Sequence, residues 1–263
     1  MIARRRMALL FAVLLPGVLA ACAQDNQSLK PMARNADPAF EVAVIKPSDP
    51  NNHSQGFHLS GHRISIENMS MTSLICFAYK IQKSQLVNAP GWFDQQPWDI
   101  NGVPDAEGKP DWDQYRLMLQ KLLSARFGLQ MHHDKRELSV HALTVAKGGP
   151  KLEKSKSDPD ALSDQTGNGS GSQQSMKFTN SSMADFAQTL ELMGDRPVVD
   201  LTNLPGRYDF TLLWTSDTER AAPTDTAPGL FTAVQEELGL KLEATRAPTD
   251  VLVIDAATRP TQN

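Results

Sequence analysis

Two stretches of the sequence decide the fold: Ile64-Ser65-Ile66-Glu67-Asn68-Met69-Ser70-Met71 and Met176-Lys177-Phe178-Thr179-Asn180-Ser181-Ser182-Met183. Asn, Ser and Met hold the same places in both stretches. The correspondence continues at nearly the same offset, because Trp98-Asp99-Ile100 matches Tyr208-Asp209-Phe210. A repeat that keeps its period over this length predicts two copies of one small fold rather than one large domain.

The repeated residues also predict where the helices begin and end. Ser70 and Ser182 each precede a run of apolar residues at helical spacing, which is the position of a helix N-cap. Gly128 and Gly239 follow the second helix of each copy and are expected to end it in the left-handed conformation. The predicted fold class is α+β, with two tandem related β-α-β-β-α-β-β domains, each a small sheet with two helices.

Composition sets the expected domain boundaries. Segments rich in Gly, Ser, Asn and Gln have too few apolar side chains to form a core and are expected to be linkers. Two separate strands, 129–133 and 139–145, are expected to close the first copy. The sequence divides into a signal peptide at 1–21, a flexible tether at 22–38, a first repeat at 39–155, a Gly/Ser-rich linker at 156–175 and a second repeat at 176–263.

The N-terminus predicts export. Three arginines, Arg4 to Arg6, precede an apolar run from Met7 to Ala21 that is too short to anchor the chain in a bilayer. Leu19-Ala20-Ala21-Cys22 fits a bacterial lipobox, in which Cys22 is acylated and becomes the first residue. Ordinary cleavage before Gln24 is the alternative. Either cut leaves Cys76 without a disulfide partner in the mature chain.

The charge balance excludes some partners. Loss of the three arginines leaves 23 basic against 30 acidic side chains, a net charge of −7. Residues 176–263 alone hold 13 acidic and 7 basic side chains. An acidic chain is not expected to bind nucleic acid, because that binding neutralises phosphates with cationic residues. Any contact with a membrane is expected to be made by a lipid anchor alone.

Histidines and acids offer the candidate chemistry of the first copy. His58 and His62 share one face of an extended segment, and His141 could lie near them, as a metal site or a hydrolase would require. The adjacent His132 and His133 point to opposite faces of a strand. Scattered histidines are the simpler interpretation, because no carboxylate or cysteine stands at a ligand spacing from them.

The remaining polar clusters have simpler structural interpretations. Asp99 and Asp209 recur in both copies, which indicates a strand-end hydrogen bond rather than half of an active site. The stretch from Gly167 to Ser172 lacks the pattern of a nucleophile elbow or a phosphate-binding loop. Cys76 faces away from the apolar stripe of its helix and is expected to be covered by the other copy. A group of acids in the first copy could hold a hydrolytic pair or a calcium ion, but its spacing does not match a calcium-binding loop and several members stand next to Pro or Gly, as turn residues do: Asp94, Asp99, Asp105, Glu107, Asp111 and Asp113.

Seven short motifs carry a family resemblance: Phe40 to Pro47, Ala89 to Trp92, Leu119 to Leu129, Lys147 to Leu152, Arg196 to Asp200, Leu204 to Phe210 and Leu252 to Asp255. Because it contains these motifs, the chain resembles a family of exported proteins of soil bacteria that is defined by a domain of unknown function. Some relatives carry this region next to a membrane metallopeptidase of the antirepressor-sensor type, which implies sensing or partner binding. The zinc-peptidase motif H-E-x-x-H itself is absent from this sequence. The predicted order of elements is also similar to the short N-terminal domains of secretins and siderophore receptors, which bind proteins.

These observations favour a cell-envelope binding or sensing module that recognises a protein or peptide partner and is not an enzyme. The partner is expected to be an envelope protein or peptide, which could be a membrane peptidase-type sensor. An exposed sheet edge or a groove between the copies is expected to receive it. No catalytic residue, cofactor or metal site is predicted. The alternative is a secreted hydrolase that uses histidines and aspartates of the first repeat.

Overall fold

The computed structural model describes residues 30–158, 161, 163–170, 172–216 and 227–260. The predicted signal peptide at 1–21 and the candidate lipidation residue Cys22 therefore lie outside the described residues. The first half of the chain, residues 30–147, contains a short 3-10 helix at Lys83–Gln85 and nine α-helices and β-strands: β1 (Phe40–Pro47), β2 (Gly56–Ser60), β3 (Arg63–Met69), α1 (Met71–Tyr79), β4 (Leu86–Val87), α2 (Trp92–Gln95), β5 (Trp98–Pro104), α3 (Trp112–Phe127) and β6 (Gln130–Val145).

The second half, residues 148–260, follows nearly the same order. Its elements are β7 (Glu153–Lys154), β8 (Asp164–Ser170), β9 (Gln173–Ser181), α4 (Met183–Met193), β10 (Val198–Asp200), β11 (Tyr208–Thr215), α5 (Leu230–Leu238) and β12 (Leu240–Ala256). Each half thus has three strands before its first long helix, where the predicted β-α-β-β-α-β-β unit has one.

The repeated residues begin and end the helices as the sequence predicts. The Ser70 hydroxyl accepts the Ser73 N–H at 3.1 Å at the start of α1, and Ser182 accepts the Asp185 N–H at 3.1 Å at the start of α4. Each bond satisfies one of the N–H groups that a helix start leaves without a partner. Gly128 and Gly239 end α3 and α5 at φ values of 55° and 64°, which confirms both C-caps.

The matching Asn and Asp residues form one structural device in each half. Asn68 and Asn180 have φ values of 53° and 52°, in the left-handed region where Asn is tolerated better than most side chains. The Asp99 carboxylate accepts the Asn68 N–H at 3.0 Å, and the Asp209 carboxylate accepts the Asn180 N–H at 2.7 Å. These bonds hold the bend between a strand and the helix after it, which is the structural role that the sequence predicts for both aspartates.

Within the described residues, twelve strands form three four-stranded sheets, with the strand orders β1-β5-β3-β2, β10-β6-β12-β4 and β7-β11-β9-β8. Five helices accompany them. The predicted α+β class is confirmed. In the described part of the chain, every helix is too short or too polar to cross a membrane.

The middle sheet joins the two halves by exchanging strands. β6 and β12 pair antiparallel along their whole length, from Leu240 opposite Val145 to Ala256 opposite Gln130. The short strand β4 of the first half pairs with β12, and the short strand β10 of the second half pairs with β6. Each half therefore contributes a long strand to the other.

Two hydrophobic cores define two lobes. Lobe one contains the β1-β5-β3-β2 sheet and α1 to α3, and its core includes Ile254 from the end of β12. Lobe two contains the β7-β11-β9-β8 sheet with α4 and α5, and its core includes Leu143 from the end of β6. Burial of one such side chain contributes about 1.5–3 kcal/mol. The predicted tandem arrangement is corrected in this respect, because each core is completed by a strand of the other half.

Two segments predicted as unstructured are ordered. The predicted linker at 156–175 contains β8 and the start of β9, which pair from Asp164 opposite Thr179 to Ser170 opposite Gln173. Their backbone pairing does not depend on apolar side chains, so composition gave the wrong prediction. Residues 30–38 of the predicted tether pack on lobe one, where Met32 is buried and its N–H donates to the Lys109 carbonyl at 2.8 Å.

Candidate binding site

An open hollow of about 720 Å³ lies at one end of lobe two. It is bounded by the β8–β9 hairpin, the end of β11, the end of α4 and the start of α5. Its volume is in the range of sites that bind small molecules or single side chains of a partner. The described residues that line it are Gly167, Asn168, Gly169, Gln174, Ser175, Met176, Met193, Gly194, Asp195, Trp214, Thr215, Ser216, Leu230 and Phe231.

Aromatic rings fill the matching end of lobe one. Phe57 on β2 stacks on Phe77 of α1 with ring centroids 4.0 Å apart, and Trp112 and Tyr115 of α3 meet Phe77 edge-on. Tyr115 is completely buried. Aromatic pairs of this kind contribute about 0.5–1.5 kcal/mol beyond the area they bury. These rings pack between β2, α1 and α3 in lobe one.

The strand register identifies what replaces these rings in lobe two. Phe57 lies opposite Ile66, and Gln165 lies opposite Phe178, the residue that matches Ile66. Thr189 takes the place of Phe77 on the helix, and its hydroxyl donates to the Gln165 side-chain oxygen at 2.8 Å. A hydrogen bond between two smaller side chains thus replaces an aromatic stack.

The difference in length between α3 and α5 also contributes to the hollow. α3 and α5 end at matching glycines, yet α3 has 16 residues and α5 has 9. Gly229, the N-cap of α5, matches the fully buried Met118 of α3, and a Cβ atom built at Gly229 would have no atom within 4 Å. Gly167 similarly takes the place of Leu59, as the strand pairing shows.

The walls of the hollow are more apolar than the matching surface of lobe one. Phe231 takes the place of Gln120, and Trp214 takes the place of Pro104. The Gln120 amide donates to the Ala78 carbonyl in lobe one, whereas Phe231 is 50 % exposed in lobe two. An exposed phenyl ring beside Met193 and Trp214 is typical of a surface that binds an apolar side chain of a partner.

One carboxylate and one imidazole lie at the rim. The His141 Nε2 is 3.6 Å from the Asp195 carboxylate, and the His141 ring meets Phe231 edge-on at 5.1 Å. The His141 Nδ1 is buried without a hydrogen-bond partner, so no hydroxyl is held there for activation as a nucleophile. Asp195 is 78 % exposed and gives the rim a negative charge.

Of the three candidate histidines, His58 and His62 belong to the β2–β3 hairpin of lobe one, whereas His141 lies elsewhere. His58 is exposed on β2, and the His62 Nδ1 lies 3.0 Å from the Gly108 carbonyl. His141 lies on β6 at the start of its pairing with β10, in lobe two. His132 pairs with Asp255 at 2.8 Å, and His133 is exposed. Within the described residues no three His, Cys, Asp or Glu side chains come together as a metal site.

The acids of the first half have separate structural partners. Asp111 caps α3, and Asp105 accepts the Ala39 N–H at 2.8 Å. Asp94 pairs with Lys83 at 2.7 Å, and the hydrogen bond from the Lys83 ammonium is the main cause that lowers the pKa of Asp94. Asp113 pairs with Lys80 and Arg116. Glu107 is exposed. The structure does not gather these carboxylates into one group.

Cys76 is half-buried on α1. Burial raises the pKa of its thiol to about 11, and the nearby Lys83 ammonium opposes this shift only in part. A thiol with so high a pKa is almost entirely protonated at neutral pH and is a poor nucleophile. Whether the other copy covers this thiol stays a prediction.

Sequence reasoning missed the hollow because it treats each copy as an example of the same fold. The signal was available in the differences between the copies: Gly167 stands in the second copy where the first has Leu59, and Gly229 where the first has Met118. Each change removes side-chain volume from the same end of the domain. Comparing the volumes of matched residues would have located this site.

Comparisons with known proteins identify the family. No curated protein and no solved structure matches the chain. Residues 72–257 match the model of a family described as protein of unknown function, DUF3738. The matched range includes α3, α5 and the β6–β12 pair. This match covers most of the chain and agrees with the resemblance found in the sequence motifs. The chain therefore belongs to the DUF3738 family.

Proposed function

We propose that this protein is a non-enzymatic binding or sensing module of the cell envelope, and that the hollow of lobe two receives part of a protein or peptide partner. One observation carries the proposal: among the described residues, one end of lobe two has a hollow of about 720 Å³ whose walls include the apolar side chains Met176, Met193, Trp214 and Phe231. Half of the Phe231 surface remains exposed in lobe two, and burying that surface against a partner would stabilise a complex.

The hollow is a better candidate than the open edge of the neighbouring sheet. In lobe one β1 pairs with β5 at seven positions, whereas in lobe two β7 pairs with β11 at only two. The remaining edge of β11 is already occupied, because the Leu213 N–H donates to the Glu237 carboxylate at 3.1 Å and the Thr215 N–H to the Pro228 carbonyl at 2.8 Å. Side chains and loops that cap an edge in this way oppose the addition of another strand.

The proposal includes export of the kind found in soil-bacterial relatives. Residues 1–21 act as a signal peptide, and Cys22 carries the acyl chain that attaches the protein to a membrane. The partner is an envelope protein or peptide, with a membrane peptidase-type sensor as one example. Changing Cys22→Ser tests the anchor, and it should move the protein from the membrane fraction to the soluble fraction.

Filling the hollow tests the binding function. In Gly229→Met and Gly167→Leu, each glycine receives the side chain that lobe one has at the matching position. Neither glycine has a positive φ, and the nearest atom to a new Cβ at Gly167 is the flexible end of Met176 at 3.3 Å. We expect the double variant to remain folded and to lose capture of an envelope partner that the wild type retains from cell extract.

A matched control separates this effect from the addition of an apolar side chain elsewhere. Gly91 is also a helix N-cap with room for a side chain, since its closest neighbour is the Gln95 amide at 3.7 Å. Gly91→Met should capture the same partner as the wild type does. Undiminished capture by the filled variant, with its fold shown intact by circular dichroism, would rule out the hollow as the binding site.

A further inference from the structure

We infer that residues 30–38 form a displaceable strap over a groove of lobe one, and that this groove binds an extended peptide of a partner in place of the strap. The groove is lined by Gly108, Lys109, Gln114 and Lys121, which belong to the β5–α3 loop and to α3. It lies in lobe one, so this second site goes beyond the proposed function, which concerns the hollow of lobe two.

The groove holds the strap chiefly by its backbone. The Lys109 N–H donates to the Lys30 carbonyl at 2.8 Å, and the Met32 N–H donates to the Lys109 carbonyl at 2.8 Å. The Gln114 side-chain amide donates to the Ala33 carbonyl at 2.8 Å. Because every peptide has such backbone groups, these bonds suit an extended chain of almost any sequence.

Two side chains of the strap give the groove its selectivity. Met32 is buried against the Gly108 backbone, where a Cβ atom on Gly108 would lie only 2.8 Å from the Met32 Cα. The Lys121 ammonium pairs with the Asp37 carboxylate at 2.6 Å. The groove therefore favours an apolar side chain that is followed, five residues later, by an acidic one.

The walls of the groove are held in place by contacts that do not involve the strap. The His62 Nδ1 lies 3.0 Å from the Gly108 carbonyl, which fixes the β5–α3 loop to the β2–β3 turn. The Asp111 side chain accepts the N–H groups of Asp113 and Gln114 at the start of α3. Lobe one thus keeps the groove formed when the strap leaves it.

The strap has few buried side chains that would prevent its release. Only Met32 and Pro38 of residues 30–38 are buried. A segment with so few buried contacts opens at a lower free energy than the core does. A peptide that competes with the strap binds with an affinity reduced by the fraction of molecules whose groove is open. Releasing the strap is therefore expected to raise the affinity for the peptide.

A synthetic peptide of residues 30–38 with an N-terminal fluorophore is the probe, and fluorescence anisotropy measures its binding to the chain without residues 1–21. Met32→Asp in the chain puts a charge at the buried anchor and releases the strap. The peptide should bind this variant at least about tenfold more tightly than the wild type. Ala33→Asp is the matched control, because Ala33 is exposed on the strap, and it should bind the peptide as weakly as the wild type does.

The same two substitutions in the peptide test the anchor. On the Met32→Asp chain, a peptide with Met32→Asp should lose binding, whereas a peptide with Ala33→Asp should bind as the unmodified peptide does. No binding of the unmodified peptide to the Met32→Asp chain, with its fold shown intact by circular dichroism, would overturn the inference. Equal binding of that peptide to the variant and to the wild type would do the same.

Hydrogen exchange of the wild type tests release of the strap without any substitution. The N–H groups of Met32 and Lys109, which join the strap to the groove, should exchange at least about tenfold faster than the N–H of the buried Ile100 in β5. Exchange of all three at one rate would mean that the strap opens only with the whole fold, and the inference would be wrong. Either failure would leave capture by the hollow untouched, because that capture is measured separately with Gly229→Met and Gly167→Leu.

Discussion

At the scale of single residues, two aspartates stabilise the same bend in both halves. Burial disfavours the ionised form of Asp99, but hydrogen bonds from Ser48 and Asn68 and the Lys46 ammonium outweigh it and lower its pKa. The pKa of Asp209 is also lowered, chiefly by the hydrogen bond from the Asn180 N–H. A carboxyl group whose pKa is lower in the folded than in the unfolded chain adds stability above the unfolded pKa, about 3.9 for Asp.

The first prediction concerns this stability. Asp99→Asn keeps the shape of the side chain but removes its charge, and it should lower the free energy of unfolding by about 1–2 kcal/mol at pH 7. The difference from wild type should shrink as the pH falls below about 4 and Asp99 becomes protonated. Urea unfolding across a pH series measures it. Asp250→Asn is the control, because that side chain is 73 % exposed and its ion pair is long at 4.0 Å. A difference that stayed constant down to pH 2 would exclude the charge as its source.

At the scale of elements, the two helix-ending glycines differ in their surroundings. Gly128 and Gly239 both have a positive φ, so a Cβ atom at either position costs about 1–2 kcal/mol. A Cβ at Gly128 would lie 3.2 Å from the Thr258 hydroxyl, which can move. A Cβ at Gly239 would overlap the carbonyl oxygen of Gly149, where the backbone passes closely.

This difference predicts unequal effects of one substitution. Gly239→Ala should lower the free energy of unfolding by at least about 1 kcal/mol more than Gly128→Ala, because backbone must move to relieve the overlap. Chemical denaturation of the two variants and the wild type provides the comparison. Equal losses would mean that the left-handed conformation alone accounts for both glycines and that the contact with Gly149 is unimportant.

Local sequence signals predicted the elements better than their pairing. Ser70, Ser182, Gly128 and Gly239 act within one turn of a helix, so their neighbours in the sequence suffice to identify them. The mostly charged stretch 134–138 was expected to separate two strands, yet it lies in the middle of β6. Its backbone pairs with β12, which lies in the other half of the chain, and no short window of sequence contains that partner.

The candidate site escaped prediction for a related reason. Gly167 and Gly169 have the composition of a linker, but their strand is held by pairing with β9. The hollow itself comes from side chains that are small or missing relative to the other half, as at Gly229. A search for reactive residues looks for side chains that are present in the sequence. This hollow instead arises where lobe two has smaller side chains than lobe one.

At the scale of the whole molecule, the exchanged strands make the two lobes dependent on each other. β6 begins beside the core of lobe one and ends with Leu143 in the core of lobe two, while β12 begins with Leu240 in lobe two and ends with Ile254 in lobe one. Removal of either half would take a strand and its buried side chains from the other core. The superposition of the two halves stays a prediction, but independent folding of tandem domains is not expected.

Because the two lobes share strands, binding in the hollow of lobe two is expected to affect lobe one as well. The wall residue Phe231 contacts His141, which lies on β6 where β10 pairs with it. β6 continues into lobe one. A displacement of Phe231 would therefore act on a strand that both lobes share. β6 and β12 therefore interlock the two lobes.

Cutting the chain between its halves tests this claim most directly. A site-specific protease sequence would be inserted between Lys147 and Gly148, where Gly148 is exposed and no atom lies within 4 Å of its Cβ position. After cleavage, size-exclusion chromatography in native buffer should show the two fragments eluting together at the volume of the uncut chain, and urea should separate them. Two folded fragments that elute apart in native buffer would contradict the exchange of strands.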